Sequence, residues 1–113
     1  MVWYDSLSPN GTEYFSSFVA YEGKIIVAQC GGITVRPVGG NSTYPPTHGL
    51  DSPDGFHINF DLNELGVLEV DIKNNLVTLQ DSVYYRWVGI IQGRIGNSTW
   101  HGLALYEQFN FSP

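Results

Sequence analysis

The chain has 113 residues, of which 14% are charged and 14% are aromatic, and its formal net charge is −6. A chain of this length buries a modest core, and its acidic balance argues against binding to nucleic acid or to anionic membranes. Its apolar runs stay below the roughly 18 residues that a membrane-spanning helix needs, so no membrane span is expected.

The first part of the chain alternates apolar and polar residues with the period of two that is typical of β-strands. Glycine-containing turns separate three short runs and favour tight connections between them. The predicted strands are 13–20, 24–29 and 33–38. The segment 39–55 is rich in Gly, Pro, Ser, Asp and Asn, and it is predicted to be a long loop.

The second part continues the same pattern, with at most one helical turn at 61–66. The predicted strands are 56–62, 66–72, 75–79, 82–91 and 100–111. The tripeptide 73–75 is interpreted as a hairpin turn between two of them. Eight or nine antiparallel strands, with no linker between them, predict an all-β fold in a single domain over 1–113. A closed β-barrel is the architecture that we predict for such a domain, and a β-sandwich is the alternative.

The last two predicted strands lack a fully polar face, which is typical of strands covered on both sides or lining an apolar cavity. Arg86 and Glu107 interrupt these strands, and burying either charge without a partner would be costly. We therefore expect the two side chains to meet, either as a structural ion pair or as part of a site. The candidate catalytic residues are Arg86, Glu107, Tyr85 and His57.

Aromatic side chains are numerous for so short a chain, and large amphipathic rings bind flat apolar ligands or stack on sugars. A core filled with aromatic rings is the structural alternative. The candidate ligand-binding residues are Trp3, Tyr4, Trp87, Trp100, His101 and Tyr106. No nucleotide-binding, nucleophile or zinc motif occurs, so neither a cofactor nor a metal is expected.

Signals for the cellular compartment oppose each other. Asn-x-Ser/Thr sequons begin at Asn10, Asn41, Asn97 and Asn110, which favours a secreted glycoprotein. Cys30 is the only cysteine, so no internal disulfide is possible, and this leans against secretion. The compartment stays open between secretion and the cytoplasm.

The opening segment 2–24 resembles lipocalin-like domains of the AttH and carotenoid-hydratase group and of the fungal Diels–Alderase-type proteins. In those domains an aromatic pair precedes an aspartate and a short turn of the form S-x-(N/D)-G. The matching residues are Trp3, Tyr4, Asp5, Ser8, Asn10 and Gly11. The segment 84–93 is also similar to an aromatic-rich barrel strand of such domains. The resemblance implies a lipocalin-like barrel with a ligand inside it or between paired domains.

Two functions from different classes follow. In the first, the barrel encloses a hydrophobic small molecule and steers its cyclisation or isomerisation in natural-product biosynthesis, without a cofactor. In the second, a secreted β-domain binds carbohydrate through exposed aromatic rings, without catalysis. The orientation of Trp87, into a cavity or onto an exposed aromatic row, is expected to separate the two. The low charged fraction also predicts a homo-oligomer.

Overall fold

Residues 1–40, 42–44, 53–81 and 83–109 are described by the structure, a computed structural model of the chain. Eight strands lie in these ranges. They are β1 (Val2–Leu7), β2 (Glu13–Tyr21), β3 (Lys24–Gln29), β4 (Ile33–Val38), β5 (Gly55–Asp61), β6 (Val67–Gln80), β7 (Tyr84–Ile95) and β8 (Ser98–Phe109). In the same ranges, no helix has the length and apolar character needed to cross a membrane.

The strands form two antiparallel sheets, so the all-β prediction is confirmed. The smaller sheet has the order β1-β2-β3, and the larger has the order β4-β5-β6-β7-β8. Among the described residues the sheets do not join into a closed barrel; they come together where β2 approaches β4. The architecture is therefore an open, barrel-like arrangement that also fits the sandwich alternative.

The predicted turn at 73–75 is wrong, because β6 runs through it without a break. The Asn74 amide N–H donates to the Asp54 carbonyl at 2.9 Å, and its side-chain amide donates to the Pro53 carbonyl at 2.6 Å. The register with β7 shifts between Asn74 and Leu76. A β-bulge therefore absorbs the extra residue, and the ladder continues beyond it.

Other boundaries differ in smaller ways. Strand β1 is not among the strands that the alternation predicts, and the single helical turn expected at 61–66 is a 3-10 turn over Asn63–Leu65. The last hairpin is tighter than expected, since only Gly96 and Asn97 separate β7 from β8. The predicted loop 39–55 has no regular element in its described part before Gly55, where β5 begins, and residues 41 and 45–52 lie outside the described residues.

The core belongs almost entirely to the larger sheet. Its buried apolar side chains are Ile33, Val35, Phe56, Ile58, Phe60, Leu62, Leu68, Val70, Ile72, Tyr85, Trp87, Ala104 and Tyr106. Trp87 stacks on Tyr85 and on Tyr106, each with ring centroids 5.5 Å apart, and meets the edge of Phe56. The smaller sheet adds partly buried side chains such as Trp3 and Phe15 to this cluster.

Arg86 and Glu107 lie on the opposite face of the larger sheet from Trp87. Strand alternation buries Tyr85 and Trp87, so it turns Arg86 to the outside, where its side chain is 43% exposed. The alternative in which the last two strands line an apolar cavity that holds both charges is therefore wrong. The face that carries Trp87 packs against the rings of Phe56 and Tyr106 from neighbouring strands, and these contacts make it the interior.

Candidate functional site

The turn between β1 and β2 brings two carboxylates onto one face of the smaller sheet. Gly11 adopts a φ of +86°, and its amide donates to the Ser8 carbonyl at 2.9 Å. The turn sets a register in which Asp5 faces Phe15 and Leu7 faces Glu13. Asp5 and Glu13 are therefore diagonal neighbours on the same face, which puts their side chains within reach of each other.

Arg36 and Tyr44 complete this group, which we call the acidic cluster: Asp5, Glu13, Arg36 and Tyr44. The Arg36 guanidinium donates to both Glu13 carboxylate oxygens, at 2.7 and 2.9 Å, and lies 3.7 Å from Asp5 Oδ2. The Tyr44 hydroxyl donates to Glu13 at 2.6 Å and lies 3.2 Å from Asp5 Oδ1. Arg36 also packs over the Tyr44 ring, 3.9 Å from its centroid.

The surroundings of Asp5 disfavour its charged form. Its side chain is only 13% exposed, and burial is the largest cause that raises its pKa from 3.8 to about 7. The hydrogen bond and negative charge of Glu13 raise the pKa of Asp5 further, whereas Tyr44 and Arg36 lower it. A substantial fraction of Asp5 is therefore protonated at neutral pH.

Glu13 behaves in the opposite way. Burial acts to raise the pKa of Glu13, but hydrogen bonds from Arg36, Tyr44 and Asp5 outweigh burial and hold it below 4.5. The same contact with Glu13 raises the pKa of the Arg36 guanidinium, and burial raises that of the Tyr44 hydroxyl. The cluster therefore keeps one carboxylate ionised and the other ready to donate a proton near neutral pH, which is the division of roles that acid–base catalysis uses.

Arg86 and Glu107, the first two predicted catalytic residues, do meet. They are direct partners in the register of β7 and β8, and Arg86 Nε lies 3.3 Å from Glu107 Oε1. Tyr84 also donates to this carboxylate, and the contact raises the pKa of Tyr84. The pair lies on the outer face of the larger sheet and is separate from the acidic cluster, so its catalytic role stays a prediction.

The remaining predicted catalytic residues lie elsewhere. Tyr85 is buried in the core, with 4% of its surface exposed. His57 lies on the outer face, where its Nδ1 is 2.7 Å from Asp71 Oδ1. Tyr85 therefore lies on the opposite face of β7 from Arg86, whereas His57 is the direct partner of Arg36 of the acidic cluster in the register of β4 and β5.

The predicted ligand-binding residues divide between the core and the surface. Trp87 and Tyr106 are core residues, and the Tyr106 hydroxyl, whose pKa burial raises, donates to Asn74. Trp87 therefore faces the packed core, and it contributes neither to a cavity nor to an exposed row of aromatic rings. Trp3 and Trp100 are partly buried against the core, while Tyr4 is 67% exposed.

His101 is exposed on the outer face of β8. Within the described ranges no three His, Cys, Asp or Glu side chains come together as metal ligands. Cys30 is exposed and borders an open depression of about 200 Å³ between Gln29 and Asn63, away from the acidic cluster. Of the four sequons, Asn10 and Asn97 are exposed, and Asn41 and Asn110 lie outside the described residues.

The acidic cluster was missed in the sequence, although a signal for it was present. Asp5 belongs to the segment that carries the family resemblance, and alternation puts it on the same face as Trp3. A carboxylate on the inward face of a strand is unusual, because its charge needs a partner. Arg36 and Tyr44, however, are 31 and 39 residues away from Asp5 along the chain, and no local pattern indicates that they meet it.

Curated fungal proteins are similar to nearly the whole chain. The quinolone epoxide rearrangement protein penF of Penicillium thymicola is 31% identical over 114 residues, covering 98% of this chain and 32% of the relative. The quinolone epoxide rearrangement protein asqO of Emericella nidulans is 28% identical over 114 residues, covering 98% of this chain and 31% of the relative. The chain thus spans about a third of the length of these relatives.

Both relatives are fungal, in line with the fungal part of the resemblance, and neither bears on the AttH or carotenoid-hydratase part. No protein-family profile matches the chain, and no solved structure matches it significantly.

Proposed function

We propose that this chain provides the acid–base site of an isomerase that rearranges an epoxide on a quinolone-type small molecule, without a cofactor. The observation that carries the proposal is Asp5, a carboxylic acid with a pKa of about 7 beside the ionised Glu13. The names of the two relatives support the substrate class and the type of reaction.

An epoxide opens readily when its oxygen is protonated, because the breaking C–O bond then leaves a neutral hydroxyl. Asp5 would donate that proton. A neighbouring group would then migrate, with its bonding electron pair, to the electron-poor carbon. A proton lost from the rearranged product would return to the Asp5 carboxylate. The reaction is then an isomerisation with no net change in atoms or electrons, and it needs no cofactor.

Arg36 and Tyr44 have supporting roles in this proposal. Once Asp5 has given up its proton, the Arg36 guanidinium, 3.7 Å away, stabilises the new carboxylate. The Tyr44 oxygen lies within hydrogen-bond reach of both carboxylates. An epoxide oxygen that took the place of the Tyr44 hydroxyl beside Asp5 would be in position to accept the Asp5 proton.

Aromatic rings beside Asp5 suit a flat substrate. Trp3 is partly buried on the same face of β1, and Tyr4 is exposed on the other face of that strand. Stacking of a planar heterocycle on such rings contributes about 0.5–1.5 kcal/mol beyond area burial. Trp3 is therefore the predicted ligand-binding residue that fits the proposal, whereas Tyr4 faces away from Asp5.

Turnover of a quinolone epoxide, followed by mass spectrometry and NMR of the product, tests this function. Asp5→Asn removes the acid with little change in shape, and we expect the rate to fall by roughly 100-fold or more. Asp71→Asn is the matched control, because Asp71 is an exposed carboxylate on the outer face of the larger sheet.

Glu107→Gln separates the two candidate sites. Full activity in Asp5→Asn together with loss in Glu107→Gln would refute the acidic cluster and favour the Arg86–Glu107 pair. Conversion of the epoxide to a diol by addition of water, instead of an isomer, would contradict the rearrangement itself.

A further inference from the structure

Strand β8 forms one edge of the larger sheet. It is 12 residues long, and in the described part of the chain it pairs with β7 alone. A strand in this position presents a row of backbone N–H and C=O groups on its outer side, and such a row is a template for another strand.

The two edges of the larger sheet differ in how they are protected. At the opposite edge, β4 contains Pro37, which has no N–H to offer, and the charged Arg36. Strand β8 contains neither proline nor lysine. Its outer face instead carries Leu103 and Leu105, which are 80% and 57% exposed. Strand β8 therefore lacks the proline that blocks strand addition at the β4 edge.

We propose that two copies of this chain pair through β8, antiparallel, across a two-fold axis at Ala104, so that the two larger sheets become one continuous sheet. In a symmetric antiparallel pair every residue faces the residue equally far on the other side of the axis. The choice of axis therefore fixes every side-chain pair between the copies.

The axis at Ala104 places complementary side chains opposite each other on the outer face. Leu103 faces Leu105 of the second copy, and His101 faces Glu107 of the second copy. An axis at Leu103 or at Leu105 would instead place a leucine opposite His101 or Glu107. The register at Ala104 thus combines an apolar pair with a histidine–carboxylate pair, and both kinds stabilise neighbouring strands.

Glu107 can accept this additional contact. Among the described residues, Arg86 and Tyr84 both contact its Oε1 atom, which leaves Oε2 for His101 of the second copy. On the inner face, the same register sets Gly102 opposite the large Tyr106 ring and Ala104 opposite its own copy. Small residues next to the axis avoid a clash between the two inner faces.

Sedimentation over a range of concentrations tests the association. We expect a dimer in the wild-type chain, and Leu103→Asp should raise its dissociation constant by roughly 100-fold, because each dimer loses two buried leucines. Ile25→Asp is the matched control, since Ile25 is 64% exposed on β3, an edge of the smaller sheet. A monomer at high micromolar concentration, or a dimer abolished only by Ile25→Asp, would overturn the proposal.

Spin labels test the register. With Cys30→Ser to remove the native thiol, a label at Thr99→Cys should lie opposite position 109 of the second copy. The two labelled positions are then about ten residues apart along the strands, or about 34 Å between their Cα atoms. An axis at Leu103 would give about 27 Å, and one at Leu105 about 41 Å, and either value would refute the axis at Ala104.

Discussion

At the scale of single residues, the acidic cluster makes Asp5 sensitive to two neighbours with opposite effects. Glu13 raises the pKa of Asp5 through its hydrogen bond and its charge, whereas the Tyr44 hydrogen bond lowers it. We therefore expect Glu13→Gln to lower the pKa of Asp5 and Tyr44→Phe to raise it. Carboxyl-carbon NMR titration measures both, and Glu64→Gln in the exposed 3-10 turn is the control. Shifts of the same sign in both variants would contradict the cluster.

Asp5 also gives stability a particular dependence on pH. Its folded pKa of about 7 lies above its unfolded value of 3.8, so the folded chain binds more protons between these values. The stabilisation that Asp5 contributes to folding is fully present below its unfolded pKa and is lost as pH rises through its folded pKa. We expect the free energy of unfolding to fall by on the order of 2 kcal/mol from pH 5 to pH 8.

Asp5→Asn should remove this slope, because an amide does not titrate. Denaturant titrations at several pH values measure the effect, and Glu64→Gln in the exposed 3-10 turn should keep the wild-type slope. Glu13 adds little to this slope above pH 5, because its pKa is held below the ordinary value of 4.5. An Asp5→Asn variant with an unchanged slope would show that Asp5 titrates near its ordinary value.

At the scale of elements, the β1–β2 turn determines which residues of the smaller sheet share a face. Gly11 has a φ of +86° and no atom within 4 Å of an added Cβ, so Gly11→Ala tests backbone strain alone. We expect a loss of about 1 kcal/mol in the free energy of unfolding. Gly40→Ala is the control, because its added Cβ would also meet open space and its φ lies outside the left-handed range. Equal losses in both variants would exclude strain as the cause.

Alternation in the sequence located most strands but could not choose the interior face of β7. One face of β7 has Tyr85 and Trp87, and the other has Arg86 between apolar neighbours. Either face could therefore be the buried one. The pairing of Arg86 with Glu107 followed from the hairpin, which is local. The choice of face required the neighbouring strands, because Phe56 of β5 supplies the edge contact that holds Trp87.

At the scale of the whole molecule, the site joins parts of the chain that no local pattern connects. The β1–β2 turn explains how Asp5 meets Glu13, and the resemblance already included Asp5, Ser8 and Gly11. Arg36 belongs to the other sheet, and its contact with Glu13 depends on how the sheets approach each other. The sequence could therefore have indicated the pair Asp5 and Glu13. It could not have indicated Arg36, the cation that separates the pKa values of the two carboxylates.

The two sheets should also differ in local stability. The buried apolar side chains lie between Ile33 and Tyr106, and the described part of the smaller sheet has Ser17 as its buried residue. Local opening costs least where few apolar contacts must break. We therefore expect amide hydrogens of β2 to exchange with solvent faster than those of β6, although both strands are paired on two sides.

The Arg36–Glu13 ion pair is a direct link between these sheets, since Arg36 belongs to β4 and Glu13 to β2. Arg36→Met removes the two hydrogen bonds but keeps an unbranched apolar stem, so it should speed exchange in β1–β3 and leave β6 and β7 unchanged. Arg94→Met is the matched control, because Arg94 pairs with Glu69 within the larger sheet. Equal acceleration in both sheets would mean that they open as one unit, and that Arg36 contributes to global stability instead of to the junction between the sheets.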